Sequence, residues 1–335
     1  MILRILKYLA LSVSLAWLVL AHSPQLMDRV IDDLVRYANR HGDLYKMSGL
    51  PGFGIEKPFC DARFENKPMK AKRRMFMLGD SFLGTLSNSS QRLTNIDHYF
   101  YIRWTQQLRI PPMDSTTEDI LIIEIIERHA LGLDDTSSII VDSSEIFPKI
   151  YEDADNAGGL DWFSFKAENV LQQAMFNDPL SLKVKEVKAG LNHNVFNRIN
   201  EFVYLSDDEN NLYYHEEMTG PMGSFTPISD QRVDEYVVQI NKLLTYYRSL
   251  GFDRVYFVIV PNKVTVLDAA INDAKGHNHL IERVFNHPNR DSMMIDVYTP
   301  LLEKSKSTII YHPNDTHWNC EGEQVFIDIV NELTR

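Results

Sequence analysis

Short apolar runs alternate with helix-period segments over much of the chain. Four runs are typical of strands buried on both faces of a sheet, and a fifth is weaker: Met75–Leu78, Ile120–Ile126, Val255–Val260, Met293–Val297 and, as the weaker one, His98–Arg103. Between and after them, Val233–Leu250 and Glu321–Leu333 collect their apolar residues on one helical face. This alternation predicts an α/β fold of three layers, with a parallel sheet and helices on both faces.

The pattern changes in the middle of the chain. Leu131–Asp230 shows no clean alternation of strands and helices, and it carries acidic loops at Asp134–Asp135 and Asp207–Asn211. We therefore expect one α/β domain over residues 74–335, interrupted near residues 131–230 by an insertion of about 100 residues.

The residues before that domain predict a route across a membrane. Met1–Ala21 places Arg4 and Lys7 before an apolar run of about 14 residues, which is shorter than the roughly 20 of a spanning helix and typical of a signal peptide. An uncleaved anchor fits the same residues, and a buried N-terminal helix is a third, weaker alternative. Over residues 22–73 we expect a membrane-proximal amphipathic helix at Gln25–Arg40 and an aperiodic lead-in at Ser48–Lys72.

Composition and charge exclude two classes of function. Among 335 residues, 34 Lys and Arg stand against 46 Asp and Glu, and this net charge of −12 argues against a nucleic-acid partner because phosphate binding needs a basic surface. With only two cysteines, the chain has no cysteine-rich zinc module. Cys60 and Cys320 can pair in an oxidising compartment, where a bridge would brace the segment after His317 to the lead-in, but the sequence leaves the pairing open.

The first motif that carries chemistry follows the first predicted strand. Met75–Leu78 runs directly into Gly79-Asp80-Ser81, which places Ser81 at the carboxyl edge of the sheet and at the start of a helix. There its hydroxyl can attack an acyl carbon while its backbone N–H faces the resulting oxyanion. By itself, however, Gly-Asp-Ser is explained more simply as an ordinary helix cap.

The second motif precedes the last predicted helix. Asp315 and His317 lie two residues apart in a loop and can supply a general base together with the acid that orients it. Alone, the same residues fit a helix cap beside a stacked His–Trp pair, and a metal site would need a third ligand that the sequence does not offer. Because the exit of the first strand and the entry of the last helix can meet in a doubly wound sheet, the two motifs together indicate a Ser-His-Asp triad.

Taken together, GDSF at residues 79–82 and DTHWN at residues 315–319 resemble the SGNH hydrolase superfamily. More narrowly, the chain is similar to the SGNH-like alginate O-acetyltransferases of bacterial exopolysaccharide export. Two further segments resemble that branch, Glu124-Ile-Ile-Glu127-Arg128 and the Val-Pro-Asn-Lys of residues 260–263. The resemblance covers roughly residues 74–128 and 253–335, and it implies a three-layer SGNH or flavodoxin-like parallel sheet.

The resemblance also implies roles for single residues. Ser81 would be the nucleophile, His317 the general base and Asp315 its orienting partner in a two-step acetyl transfer to a sugar hydroxyl. Further candidates for contacting the oxyanion or the substrate are Gly79, Asp80, Arg128, Arg103 and Trp318. The two arginines fit structural ion pairs equally well, and Trp318 is a candidate for the wall of an acceptor groove.

Three departures count against a plain SGNH esterase. No glycine occurs between Gly84 and Gly132, Glu124–Arg128 stands where the family's asparagine is expected, and the acid and base are spaced Asp-x-His rather than Asp-x-x-His. The second oxyanion donor is therefore unidentified. We expect no metal and no organic cofactor.

The expected partners are a polysaccharide acceptor and a membrane-bound acyltransferase that supplies the acetyl group. The expected location is the bacterial periplasm, either secreted or anchored to the inner membrane by the N-terminal segment. A glycan on the sequon at Asn314 would lie beside the proposed base, which favours a bacterial compartment over a eukaryotic secretory route. A carbohydrate esterase with the same residues and a non-catalytic polysaccharide-binding export scaffold are the alternatives.

Overall fold

The computed structural model of the 335-residue chain describes residues 40–58, 60, 73–86, 92–104, 108–110, 113, 116–132, 139–141, 179–268 and 276–335, with isolated positions among residues 5–15. Its strands are β1 (Arg73–Gly79), β2 (His98–Arg103), β3 (Leu108–Ile110), β4 (Glu118–Ile126), β5 (Ile139–Val141), β6 (Val203–Leu205), β7 (Leu212–Tyr214), β8 (Arg254–Val260) and β9 (Met294–Ile295). Its α-helices are α1 (Asp43–Ser48), α2 (Ser81–Leu86), α3 (Pro179–Phe196), α4 (His215–Thr219), α5 (Asp230–Ser249), α6 (Lys263–Leu267), α7 (Leu280–Phe285), α8 (Tyr298–Ser305) and α9 (Cys320–Leu333). A 3₁₀ helix spans Glu127–Gly132.

The main sheet is parallel, and the expected α/β class is confirmed. Its five strands lie in the order β2-β1-β4-β8-β9, and every neighbouring pair runs in the same direction. Each of the five apolar runs falls on one of these strands, although only Met294–Ile295 of the last run pairs in the sheet. β3 with β5 and β6 with β7 form two small separate sheets.

Alternate residues of the sheet face two different cores. Phe76 and Leu78 of β1 pack into one core together with the apolar face of α5, whereas Met75 and Met77 pack into the other together with α9. Because side chains alternate between the faces of a strand, continuous apolar runs are needed when helices cover both faces. The central part of the molecule is therefore a three-layer arrangement.

The packed part of the chain begins well before residue 74, where we expected the domain to start. Leu44 and Tyr45 of α1 lie in a third core with Leu182 of α3 and with Val203 and Leu212 of the β6–β7 hairpin. The sequence did not predict this core, because α1 is only six residues long and its apolar partners lie in the region of residues 131–230. The lead-in as the structure has it therefore includes α1, with residues 40–58 and 60 described, and it packs against the insertion.

Most residues of the predicted signal or anchor at Met1–Ala21 and of the predicted helix at Gln25–Arg40 lie outside the described part of the chain. Within the described part, no helix is both long enough and apolar enough to cross a bilayer.

Candidate active site

Ser81 lies at the carboxyl edge of the main sheet, where β1 ends and α2 begins. β1 has β2 on one side and β4 on the other, so the chain order reverses at this strand, and α/β sheets bind ligands at such switch points. The turn is fixed by Asp80, whose Oδ1 accepts a hydrogen bond from the Phe82 N–H at 2.8 Å. Its carbonyl accepts a second hydrogen bond from the Tyr101 hydroxyl at 2.5 Å.

The loop that carries the second motif closes on itself before α9. Tyr311 and Trp318 form an isolated antiparallel bridge, and the His312 N–H donates to the carbonyl of His317 at 3.2 Å. At the end of this loop, the Asn319 side chain caps α9 by accepting from the backbone N–H groups of Glu321 and Gly322. The end of the loop at Asn319 is therefore fixed. Because the loop is shaped like a hairpin, successive side chains lie on opposite sides of it.

Three side chains from the two motifs form a continuous hydrogen-bonded chain. The Nε2 atom of His317 lies 2.8 Å from the Oγ atom of Ser81, and its Nδ1 atom lies 2.6 Å from Oδ1 of Asp315. The same carboxylate oxygen also accepts the backbone N–H of His317 at 3.0 Å. These are the contacts that the spacing of the motifs predicted, and they have the connectivity of a nucleophile, a base and an orienting acid.

The electrostatics of the triad follow from burial and from the close Asp–His contact. Burial would raise the pKa of Asp315, but the charge and hydrogen bond of His317, helped by Lys57, hold that pKa well below its usual range. Burial lowers the pKa of His317, whereas Asp315 and Asp43 raise it, and the net direction is upward. Asp315 is therefore ionised, and His317 is a stronger base than a free imidazole.

The lead-in contributes two charged residues to the outer side of the triad. The Nζ atom of Lys57 lies 2.5 Å from Oδ2 of Asp315, and the backbone N–H of Asp43 donates to the same oxygen at 3.1 Å. The carboxylate of Asp43 in turn accepts from the backbone N–H of Thr316 at 2.9 Å and from its hydroxyl at 2.7 Å. The lead-in therefore holds both the acid of the triad and the residue between acid and base.

A disulfide fixes the lead-in to the same loop. Cys60 and Cys320 are bonded, with 5.2 Å between their Cα atoms, and this answers the question that the sequence left open. Asn314 adds a polar tie, because its buried side-chain amide donates to the carbonyls of Phe53 at 2.9 Å and Ile55 at 2.7 Å. That amide is enclosed in the folded protein, so the sequon at Asn314 is inaccessible to a glycan.

Two backbone segments come very close together where the lead-in meets the loop. A Cβ atom on Gly42 would lie 1.9 Å from the carbonyl oxygen of Asn314, so only glycine fits there. This approach allows the Tyr45 N–H to donate to the same carbonyl at 3.1 Å.

Lys263 supports the loop from the opposite side. This fully buried lysine donates through Nζ to the carbonyls of Leu212 at 2.9 Å, His312 at 2.7 Å and Pro313 at 3.0 Å. Burial lowers its pKa to about 7, opposed by the negative charge of Glu217 and of two aspartates. The three carbonyls match the three N–H bonds of an ammonium group, and the Asp315 carbonyl lies farther away, at 3.5 Å. Lys263 thus connects the end of β8 to the loop that carries the base.

Beneath Ser81 lies the buried carboxyl group of Glu124. Oε2 of Glu124 accepts the backbone N–H of Asp80 at 2.9 Å, and a Cβ atom on Gly79 would lie 2.4 Å from that oxygen. Burial and the charge of Asp80 raise the pKa of Glu124 well above its usual range. The Glu124 carboxyl group therefore fixes the Gly-Asp-Ser turn from below, and Gly79 is required to leave room for it.

The remaining substrate candidates have different surroundings. The N–H of Asp80 is used by Glu124, so this residue and Gly79 shape the turn rather than offer a free donor. Arg128 forms an ion pair with buried Glu217 at 2.8 Å, as expected if this arginine has a structural role. Arg103 pairs with Gly79 in the register of β2 and β1 and is exposed at the same edge of the sheet.

Trp318 does not line a groove, and our expectation for this residue was wrong. Its side chain is 2% exposed and packs between Phe82, at a ring distance of 5.1 Å, and Phe326, at 5.5 Å. The reason is the extended backbone at the Tyr311–Trp318 bridge: His317 faces Ser81, so its neighbour faces the core.

Asp43, Asp315 and His317 place one ligand-type atom each within 4.8 Å of one another, the geometry of a possible cation site. The hydrogen bonds described above engage these groups, and the ammonium of Lys57 already lies against Asp315. We therefore assign this cluster to the triad and not to a metal.

Sequence reasoning missed Asp43 and Lys57 entirely, because both lie in a segment without hydrophobic periodicity. One signal was available. Lys57 precedes Cys60 by three residues and His317 precedes Cys320 by three residues, so a bridge between the cysteines implies that Lys57 lies near the base.

Comparisons of the chain with protein-family models, with curated proteins and with solved structures found no match.

Proposed function

We propose that this protein is an SGNH-like O-acetyltransferase that carries an acetyl group on Ser81 and transfers it to a hydroxyl of an exported polysaccharide. The observation that carries the proposal is the chain of contacts from Ser81 Oγ to His317 Nε2 at 2.8 Å and from His317 Nδ1 to Asp315 Oδ1 at 2.6 Å. A helix cap requires no such chain, and a scaffold gains nothing from a base held against a serine.

The strand order supports the same proposal. Numbered within the main sheet alone, its strands follow the order 2-1-3-4-5, which is the order of flavodoxin-like folds. Ser81 follows the first of these strands, at the switch point. The Glu124 contact beneath the turn supports a site that differs from the plain esterase pattern.

In the first step, His317 Nε2 takes the proton of Ser81 as Oγ attacks the acetyl carbonyl of the donor. The backbone N–H of Ser81, at the start of α2, faces the negative charge that develops on the carbonyl oxygen. When the tetrahedral intermediate collapses, the bond to the donor oxygen breaks, and the imidazolium returns its proton to that leaving oxygen. Asp315 stays ionised throughout and stabilises the imidazolium.

In the second step, the sugar hydroxyl replaces the donor. His317 takes its proton, the sugar oxygen attacks the acetyl-serine, and Ser81 Oγ leaves as it recovers a proton from Nε2. The product is an acetylated sugar and a free serine. Every proton transfer in this sequence passes through Nε2, so the reaction requires neutral His317 at the start of each step.

We further propose a periplasmic location, secreted or anchored to the inner membrane, with a membrane-bound acyltransferase as acetyl donor and no nucleic-acid partner. The Cys60–Cys320 bridge supports an oxidising compartment. The net charge of −12 favours a neutral polysaccharide acceptor over a uronate-rich one.

The proposal is tested with Ser81→Ala and His317→Ala, each expected to lower acetyl transfer from p-nitrophenyl acetate to an oligosaccharide by about a thousandfold or more. Intact mass after brief exposure to the donor should show one acetyl adduct, which Ser81→Ala removes. Ser249→Ala, an exposed serine of α5, is the matched control and should retain full activity. Full activity in Ser81→Ala would refute the mechanism.

The acceptor dependence of the same assay distinguishes the alternatives. Rapid acetate release without an oligosaccharide would identify a carbohydrate esterase, in which water replaces the sugar. Glycan binding that survives both triad substitutions, with no acetyl adduct on the wild type, would identify a non-catalytic scaffold.

A further inference from the structure

We propose that Lys57 is a positioning residue of the triad, supplied by the lead-in, which fixes the orientation of Asp315 and limits the basicity of His317. This inference rests on the proposed acyl-transfer function, and it assigns a catalytic task to a segment outside the main sheet. In the proposed reaction Lys57 touches neither Ser81 nor the acyl group, and acts only through Asp315.

The first argument is the complete coordination of the Asp315 carboxylate. Oδ1 accepts from the ring and the backbone N–H of His317, and Oδ2 accepts from Lys57 at 2.5 Å and from the Asp43 N–H at 3.1 Å. Four donors occupy four acceptor directions, so the plane of the carboxylate is fixed. Without Lys57, the outer oxygen keeps only the neutral Asp43 N–H, so the carboxylate is held less firmly, while Oδ1 keeps both of its contacts with His317.

The second argument is charge. Asp315 is 1% exposed, and its negative charge is what stabilises the imidazolium form of His317. A lysine ammonium on the far oxygen withdraws part of that stabilisation, because its field at the imidazole has the opposite sign. In this buried setting the attraction between close charges is several-fold stronger than in water.

The other groups that face the Asp–His pair come from four parts of the fold. They are Asp43 and Lys46 of α1, His312 on the loop itself, Glu217 of α4 and Lys263 of α6. Asp43 raises the pKa of His317 and Lys57 lowers it, so the lead-in contributes opposing charges. Within the described residues, none of these groups forms a side-chain ion pair with Asp315, whereas Lys57 and His317 both do.

The placement of Lys57 is itself enforced. Its backbone N–H donates to the carbonyl of Arg40 at 2.6 Å, and His41 and Glu56 form a β-bridge beside it. Three residues later, Cys60 is bonded to Cys320 at the start of α9. The backbone at Lys57 is thus held on both sides, and 25% of the Lys57 side chain is exposed.

Removing the ammonium makes His317 a stronger base, so more of the enzyme is protonated and inactive in acid. For Lys57→Gln we expect kcat/KM for p-nitrophenyl acetate to fall about tenfold at about pH 6, and less than about threefold at about pH 9. Lys57→Arg should restore most of the loss, because it returns a cation to the same oxygen. Lys242→Gln, an exposed lysine of α5, is the matched control and should leave the profile unchanged.

Labelling with a fluorophosphonate at about pH 9 separates this inference from the proposed function. If the wild type is not labelled on Ser81, the acyl-transfer function itself fails. If the wild type and Lys57→Gln are both labelled, an unchanged pH–rate profile overturns the role of Lys57. A loss of equal size at every pH also overturns it, because that result identifies a structural contact without an effect on the base.

Discussion

Removing the Cys60–Cys320 disulfide tests how strongly the lead-in is tied to the rest of the molecule. The perturbation is the double substitution Cys60→Ser and Cys320→Ser, which leaves no free thiol among the residues of the bridge. The two cysteines are 260 residues apart in the sequence. Of the 335 residues of the chain, more than three quarters therefore lie within the loop that the bond closes.

The magnitude follows from the entropy of that loop. For a separation of 260 residues, the loop-closure relation gives about 5–6 kcal/mol of stabilisation at 25 °C. In the native state the lead-in keeps other ties, including the core contacts of Leu44 and Tyr45 and the Lys57–Asp315 pair. The lost stability is therefore expected to come from the unfolded ensemble, and residual structure in that ensemble reduces the expected loss to about 3–5 kcal/mol.

The assay is guanidinium unfolding of the oxidised wild type and the double variant, followed by far-UV circular dichroism. The free energy of unfolding should fall by the stated amount, and the denaturant slope should rise because the uncrosslinked chain exposes more surface. The wild type treated with dithiothreitol is the control, and it should unfold like the variant. A loss below about 1 kcal/mol with the slope unchanged would refute the argument, because the bridge would then close no substantial loop in the unfolded chain.

Three further substitutions test the burial of Trp318, the raised pKa of Glu127 and the support that Lys263 gives to the loop. Trp318→Ala should cost about 3–5 kcal/mol in denaturant unfolding, because it empties a fully packed site, and a loss under about 1 kcal/mol would contradict its burial. Burial raises the pKa of Glu127 from 4.5 to about 7, so its neutral form stabilises the fold fully below pH 4.5 and this contribution is lost as pH rises to about 7. Relative to the wild type, Glu127→Gln should therefore gain about 3 kcal/mol across that pH window, and a pH-independent difference would contradict the shift. Lys263→Met should lower the free energy of unfolding by about 2–4 kcal/mol, since its three buried carbonyl partners lose a donor, and an unchanged value would show that the loop holds its shape alone.

The main sheet could be predicted because its strands are buried on both faces. Val255–Val260 is apolar without interruption and Ile120–Ile126 is apolar except for Glu124, and such runs indicate central parallel strands whatever their order. Met293–Val297 was less informative, because its edge strand pairs over only two residues and the rest of the run leads into α8. The hydrophobic pattern could not predict the order of the strands, because that order depends on how the connecting segments pack against the sheet.

The candidate triad could be predicted from the places of its motifs, whereas its supports could not. Ser81 and His317 lie at the end of a strand and just before a helix, and both positions are readable from the sequence. Asp43 and Lys57 contact the loop across more than 250 residues of chain, and nothing in their own neighbourhood indicates a partner. Trp318 was assigned wrongly because adjacency in sequence was taken for adjacency in space.

Apart from the single Tyr311–Trp318 bridge, the loop that carries Asp315 and His317 has no helix or ladder of its own, so most of its geometry comes from its neighbours. Lys263 holds it from the carboxyl end of β8, and the Leu212 N–H of β7 donates to the carbonyl of Pro313 at 2.9 Å. The lead-in completes the enclosure through Asp43 and Lys57. A base placed within 2.8 Å of a serine needs this convergence, because each support alone leaves the loop free to rotate about the others. The lead-in and the insertion therefore belong to the candidate site as much as the sheet does, since the sheet positions Ser81 and they position His317.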